Sequence, residues 1–192
     1  MIPNFNHSGV LPPFLPGHNP TSGHAVAPYK VSLMDFVEKF CTSPARHRIL
    51  TGFIEYRLAL KQIGIDIGFQ WIDGSFVENI EATKGKNPSD LDIITFAHRP
   101  EKFSDNAAWH AFVTENRDLF SPEALKKSFL CDGYHVDLNL PSVTIVNRTS
   151  YWFGLFSHQR ETFLWKGLLE INMQEQEVPA QQFLANGGHH AS

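Results

Sequence analysis

Apolar residues fall along this chain with two periods, and the switches between them predict the order of its elements. In the helical period, Ile49, Phe53, Tyr56, Leu60 and Ile63 recur at short helical spacings, and Leu50, Ile54 and Leu58 widen the stripe. A long amphipathic helix is expected over 44–63, with Ser43 as N-cap, Pro44 at its first position and Gly64 as its stop. Ser32 followed by Asp35 opens a shorter helix through Phe40. Further helices are expected over 106–116, with Trp109, Phe112 and Val113 inward, and from Ser121-Pro122 to about Phe129. Strand-like runs cover 67–72 and 91–96. The stretch 134–140 alternates, with Tyr134, Val136, Leu138 and Leu140 on one face and His135, Asp137 and Asn139 on the other. Another strand is expected near 167–171. Helices and strands so mixed describe an α+β, or α/β-like, chain.

The ends read differently from the middle. Residues 1–30 are rich in Pro, Gly, His and Asn, with Val10, Leu11, Phe14 and Leu15 interspersed, and predict an extended arm lying against the body. A single domain is expected over 31–172 and a polar C-terminal tail over 173–192, with one short helix at most near 179–184 and a loose His189-His190 end. A length of 192 residues and a hydrophobic fraction of 42% suit one well-cored domain. The net charge of −4 supplies no global attraction to nucleic acid or anionic lipid. No run is apolar enough to span a membrane, and the first residues lack a signal-peptide pattern. Cys41 and Cys131 have no metal-ligand spacing, so a reduced cytoplasmic protein is expected.

Chemistry concentrates between residues 71 and 96, WIDGSFVENIEATKGKNPSDLDIITF. Alternation turns Asp90 and Asp92 to one side while Leu91 and Ile93 enter the core. Paired carboxylates repel unless a cation or proton lies between them, and hard divalent ions favour such oxygen donors. Gly74 permits a tight turn whose backbone can approach an anion, and the Ser75 hydroxyl can donate to a phosphate oxygen. Lys84 and Lys86 flank Gly85 in the connection, where they can close over a triphosphate or simply face solvent. Arg46, His47 and Arg48 open the long helix, either as a phosphate contact or as a solvated basic face. The aromatic stretch 151–172 offers base stacking or phosphate contact through Tyr151, Trp152 or Arg160, or else core packing.

A hydrophobic strand ending in Gly74-Ser75, then a loop, then Asp90-Leu91-Asp92 on the next strand resembles the signature of the DNA polymerase beta-like nucleotidyltransferases. LPPF, SPARHR, WIDGSFVEN and YWFGLFSHQR…WKG are similar to a family of small, mostly bacterial nucleotidyltransferase-like proteins, although the gap from Ser75 to Asp90 is longer than usual. The resemblance implies a nucleotidyltransferase fold, a small mixed β-sheet backed by helices. It implies Mg2+ or Mn2+ on Asp90 and Asp92, a nucleoside triphosphate (ATP expected) held by Gly74 and Ser75, and a third carboxylate from a later strand. Asp137 is the candidate for that carboxylate and metal ligand, and Asp132 is its rival. The implied acceptor is a protein partner or tRNA, within a toxin–antitoxin or phage-defence module. The alternatives are a catalytically weak antitoxin-like binding module and an RNA-binding protein using Arg46 to Arg48.

Overall fold

The computed structural model describes residues 2–19, 21, 23 and 25–188. The expected His189-His190 end lies outside them. Along the described chain run β1 (Tyr29–Lys30), α1 (Leu33–Phe40), α2 (Pro44–Gln62), β2 (Gly68–Asp73), α3 (Ile80–Lys84) and β3 (Leu91–Ala97). They are followed by α4 (Asn106–Glu115), α5 (Pro122–Phe129), β4 (Cys131–Asp137), α6 (Ser142–Phe156), β5 (Leu169–Asn172) and α7 (Val178–Ala185). The class is α+β. The caps follow from sequence: Ser32, Ser43 and Ser121 each accept a hydrogen bond from the first turn of α1, α2 and α5, and Pro44 and Pro122 occupy N-terminal positions that need no donor.

The strands form one mixed sheet in the order β1-β5-β2-β3-β4. β2 is antiparallel to β3 and β5, whereas β3 and β4 are parallel, as are β1 and β5. Residues in register share a face. Gln70, Thr95 and His135 thus look to one side, and Trp71, Ile94 and Tyr134 to the other. Arg57 from α2 reaches Gln70, and Trp109 of α4 and Leu125 of α5 meet His135 and Gly133, so these helices back the first face. The opposite face is covered by α6, through contacts of Phe153 with Trp71 and of Trp152 with Tyr134. Sequence periodicity did not anticipate α6, the short elements β1 and α3, or the start of β4, three residues ahead of the strand expected over 134–140.

Both ends of the chain are bound into this body. Val10 and Leu11 are fully buried, and Val10 bridges to Glu78. The expected polar tail carries α7, which packs on α1 and α2 with Ala180 and Leu184 buried. Ahead of α7, Glu177 meets the fully buried Arg57 at 3.0 Å and Lys61 at 2.7 Å. Arg57 also donates to Gln70 and to the carbonyls of Asn172 and Met173. A guanidinium in such a position needs every partner, because desolvation is repaid only by complete pairing. Glu177→Ala is therefore expected to cost about 3–5 kcal/mol of unfolding free energy, measured by urea denaturation at neutral pH.

Candidate active site

The register of the sheet brings together three aspartates that are far apart in sequence. Asp73, the last residue of β2, lies opposite Asp92 in β3, and Asp92 lies opposite Asp132 in β4. All three share the α6 face at one end of the sheet. Asp90, just before β3, joins them in lining a cavity of about 290 Å³ with Gly74, Ser75, Lys84, Lys126, Arg160 and Lys166. Leu91 and Ile93 are fully buried, as their alternation requires.

Asp137 does not reach this row. It pairs in register with Ala97, five positions further along β4 than Asp132, which is roughly 16 Å of strand. An odd offset also turns it to the opposite face. There Asp137 is held by Arg99 at 2.7 Å, and His135 beside it is pushed down to about 4 by burial. Asp137, expected beside Asp90 and Asp92, is thus not there, and the carboxylate that β4 brings to the row is its rival Asp132.

Gly74 sits at φ +82°, and a Cβ there would lie 2.0 Å from an Asp92 oxygen. Only glycine lets the turn and that carboxylate meet. After Gly74, Ser75 to Val77 form a single 3-10 turn. Two buried cations grip it from opposite sides. Arg46 donates to the carbonyls of Phe76 and Glu78 and makes a bidentate pair with Glu81. Neither reading of Arg46, as a phosphate contact or as a solvated cation, survives: it braces the turn from inside. Lys166 approaches from the other side, with Nζ 2.7 Å from Glu78, 3.3 Å from the Gly74 carbonyl and 3.1 Å from Asp73 Oδ1. The contact with Asp73 is an ion pair, and that buried oxygen has no well-aligned hydrogen-bond donor.

The remaining expected residues divide. Lys84 ends α3 at the cavity rim and pairs with Glu161 at 2.9 Å, while Lys86 beyond the Gly85 cap is exposed and does not line the cavity. In the aromatic stretch, Phe156 is buried and Trp152 and Phe153 pack against the core. Tyr151, Phe163 and Trp165 are exposed, and Arg160 faces the cavity. Asp73, Lys126 and Lys166 are functional candidates missed in sequence reasoning. Asp73 was visible as the residue before Gly74 and Lys166 as the lysine of WKG, a phrase that carried no role, whereas Lys126 is a lone lysine on a helix.

Crowding shows in the acidities. Burial, then repulsion from Asp90 and Asp132, pushes Asp92 up to about 6. Burial pushes Asp73 up to about 7 against the pull of Lys166. Burial alone would lower Lys166, but Asp73 and Glu78 outweigh it and hold it above its ordinary value. Asp90, Asp92 and Asp132 offer the cavity hard carboxylate oxygens, the donors magnesium prefers. Among the described residues, no group of three or more His, Cys, Asp or Glu side chains is arranged to hold a metal ion as it stands. No helix in the described chain is long and apolar enough to cross a membrane.

The fold and site thus define an α+β protein with an acid-lined cavity at the end of a mixed sheet. Residues 3–172 match a family described as a family of unknown function (DUF6932), and the chain belongs to that family. Searches of curated proteins and of solved structures gave no match.

A carboxyl whose native pKa is raised favours folding while it is protonated, so its contribution fades as pH rises through the native value. For Asp92 that window runs from about pH 4 to about pH 6. Asp92→Asn is expected to flatten the metal-free stability profile there and to add about 1–2 kcal/mol at pH 8, measured by urea denaturation in EDTA.

Proposed function

We propose that this chain is a magnesium-dependent nucleotidyltransferase. It moves a nucleoside monophosphate from a nucleoside triphosphate, with ATP the expected donor, to a hydroxyl of a protein or RNA acceptor, breaking the α–β phosphoanhydride bond and releasing pyrophosphate. One observation carries the reading: Asp73, Asp92 and Asp132 stand in one row beside the Gly74–Ser75 turn. Asp90, Asp92 and Asp132 would hold Mg2+, or Mn2+ in its place. Magnesium commonly uses one or two carboxylates and completes its shell with phosphate oxygens and water, which suits an open row. When bound, the metal supplies charge neutralisation on the phosphates and an acidified acceptor hydroxyl.

The row has a direction. Gly74 and Ser75 lie at its β2 side, so the triphosphate docks there, on a turn held rigid by Arg46 and Lys166. Lys84 and Arg160 at the cavity wall offset the charge of the phosphates. β4 is the edge strand beyond the row, so the acceptor enters from that side and Asp132 orients its hydroxyl and takes its proton. Holding the two reactants in this order is the larger part of phosphoryl-transfer catalysis. The acceptor is a partner protein or tRNA in a toxin–antitoxin or phage-defence setting, and the working compartment is the cytoplasm.

A second reading, a catalytically silent antitoxin-like module that binds a partner, draws on a different observation. The acid row is already met by cations of the chain itself, Lys126 at Asp90 and Lys166 at Asp73. Incubation with alpha-labelled nucleoside triphosphates, Mg2+ or Mn2+, and total bacterial RNA and protein separates the two. Label is expected on tRNA or on a protein band, with Asp92→Ala and Asp132→Asn each reducing it roughly 100-fold or more. Asp137→Asn, assayed well below its melting temperature, is expected to transfer at close to the wild-type rate. Absence of transfer by wild type selects the silent module.

A further inference from the structure

Lys126 is the cation that meets the acid row directly and is still free to leave it. It lies in the last turn of α5, and its Nζ reaches Asp90 Oδ2 at 2.5 Å and Asp132 Oδ2 at 3.9 Å. The carboxylates are the fixed side of this contact. Asp90 has a side chain 12% exposed, and its other oxygen accepts from Ser89 at 2.8 Å. Asp132 is set by strand register against Asp92. The ammonium is the loose side, because the Lys126 side chain is 54% exposed and hangs on a flexible stem.

Lys126 differs from its neighbours in this respect. Lys166 is almost fully buried and committed to Glu78, Asp73 and the Gly74 carbonyl. Withdrawing it would strand buried charges, at a cost that half-exposed pairs do not incur. Lys127, next along α5, is exposed and does not line the cavity. One ammonium between two carboxylates of a row that needs a cation occupies the place a divalent ion would take.

We propose that Lys126 is a resident counter-ion for Asp90 and Asp132, holding the acid row together without metal and giving way when a divalent cation binds. This inference rests on the metal-dependent reading above. Its consequence is that the site is neutralised in two exclusive ways, and that metal binding carries the cost of displacing the lysine. The swing also frees the ammonium at the mouth of the cavity on the acceptor side.

The test is Mn2+ binding by the full-length protein, followed by electron paramagnetic resonance of free Mn2+, for wild type, Lys126→Gln, Lys126→Arg and Lys127→Gln. Lys126→Gln is expected to bind Mn2+ about tenfold more tightly, since one competing contact charge is gone. Lys127→Gln and Lys126→Arg are expected to stay near wild type, the first showing that a nearby charge without the contact does not compete. Melting in EDTA provides a second readout: Lys126→Gln melts below wild type, and added Mn2+ raises its melting temperature by more. Unchanged Mn2+ affinity in Lys126→Gln overturns the inference. A raised KM for nucleoside triphosphate with unchanged Mn2+ affinity also overturns it, and makes Lys126 a phosphate ligand. If wild type transfers label in either case, the nucleotidyltransferase reading stands. If neither protein binds millimolar Mn2+ and wild type transfers nothing, that reading fails and takes this inference with it.

Discussion

Asp73, Asp92 and Asp132 cannot move apart, because backbone hydrogen bonds of three adjacent strands fix them side by side. Their mutual repulsion is the constraint around which this end of the molecule is built. Proteins resolve such crowding by protonation, by internal cations or by a bound ion. All three means have a place here. Asp73 and Asp92 are pushed toward neutrality, Lys166 and Lys126 stand against the row, and the oxygen donors suit a hard metal. A row serving packing alone would be better filled by apolar residues, since burying charge weakens a fold.

The cations divide by burial, and the division follows their work. Arg46 and Lys166 are nearly excluded from water and bind backbone carbonyls of the 3-10 turn as well as carboxylates. Such cations act as structural members, because removing either leaves several buried acceptors without a donor. Lys166 is itself set by hydrogen bonds on both sides: its own N–H donates to Ser157 and that of Gly167 to Leu11. The N-terminal arm thereby reaches the site through the backbone. Lys84 and Lys126, half-exposed at the rim, carry charge that can be redirected toward a ligand. A rigid floor and an adaptable rim suit the proposed reaction, in which the site would accept a polyanion and then release one.

The two ends of β4 show why strand register outweighs residue type. Asp132 and Asp137 are both aspartates on one strand, yet one joins the acid row and the other forms a buried pair with Arg99 beneath the opposite face. In sequence, the clean alternation from Tyr134 favours Asp137, whereas Asp132 lies ahead of the strand expected over 134–140. The parallel pairing with β3 recruits Cys131, Asp132 and Gly133 into the strand. Parallel register is set by a crossover of more than thirty residues, through α4 and α5, and no local pattern encodes it.

What the sequence determined by itself was local. Serine caps, Pro44, Gly64 and apolar spacing placed α1, α2, α4 and α5, and the short apolar runs placed β2 and β3. Asp90 and Asp92 shared a side because a strand alternates, and Gly74 marked the turn because few other residues can adopt its geometry. These are short-range consequences of sterics and hydrogen bonding. Tertiary structure alone decided that Asp132 completes the row, that Arg46 and Lys166 clamp the turn, and that Lys126 bridges Asp90 and Asp132. It also drew the polar tail into the core through Glu177 and Arg57. Each of these rests on charges brought together from distant segments, and a charge shows its partner only after the chain has folded around it.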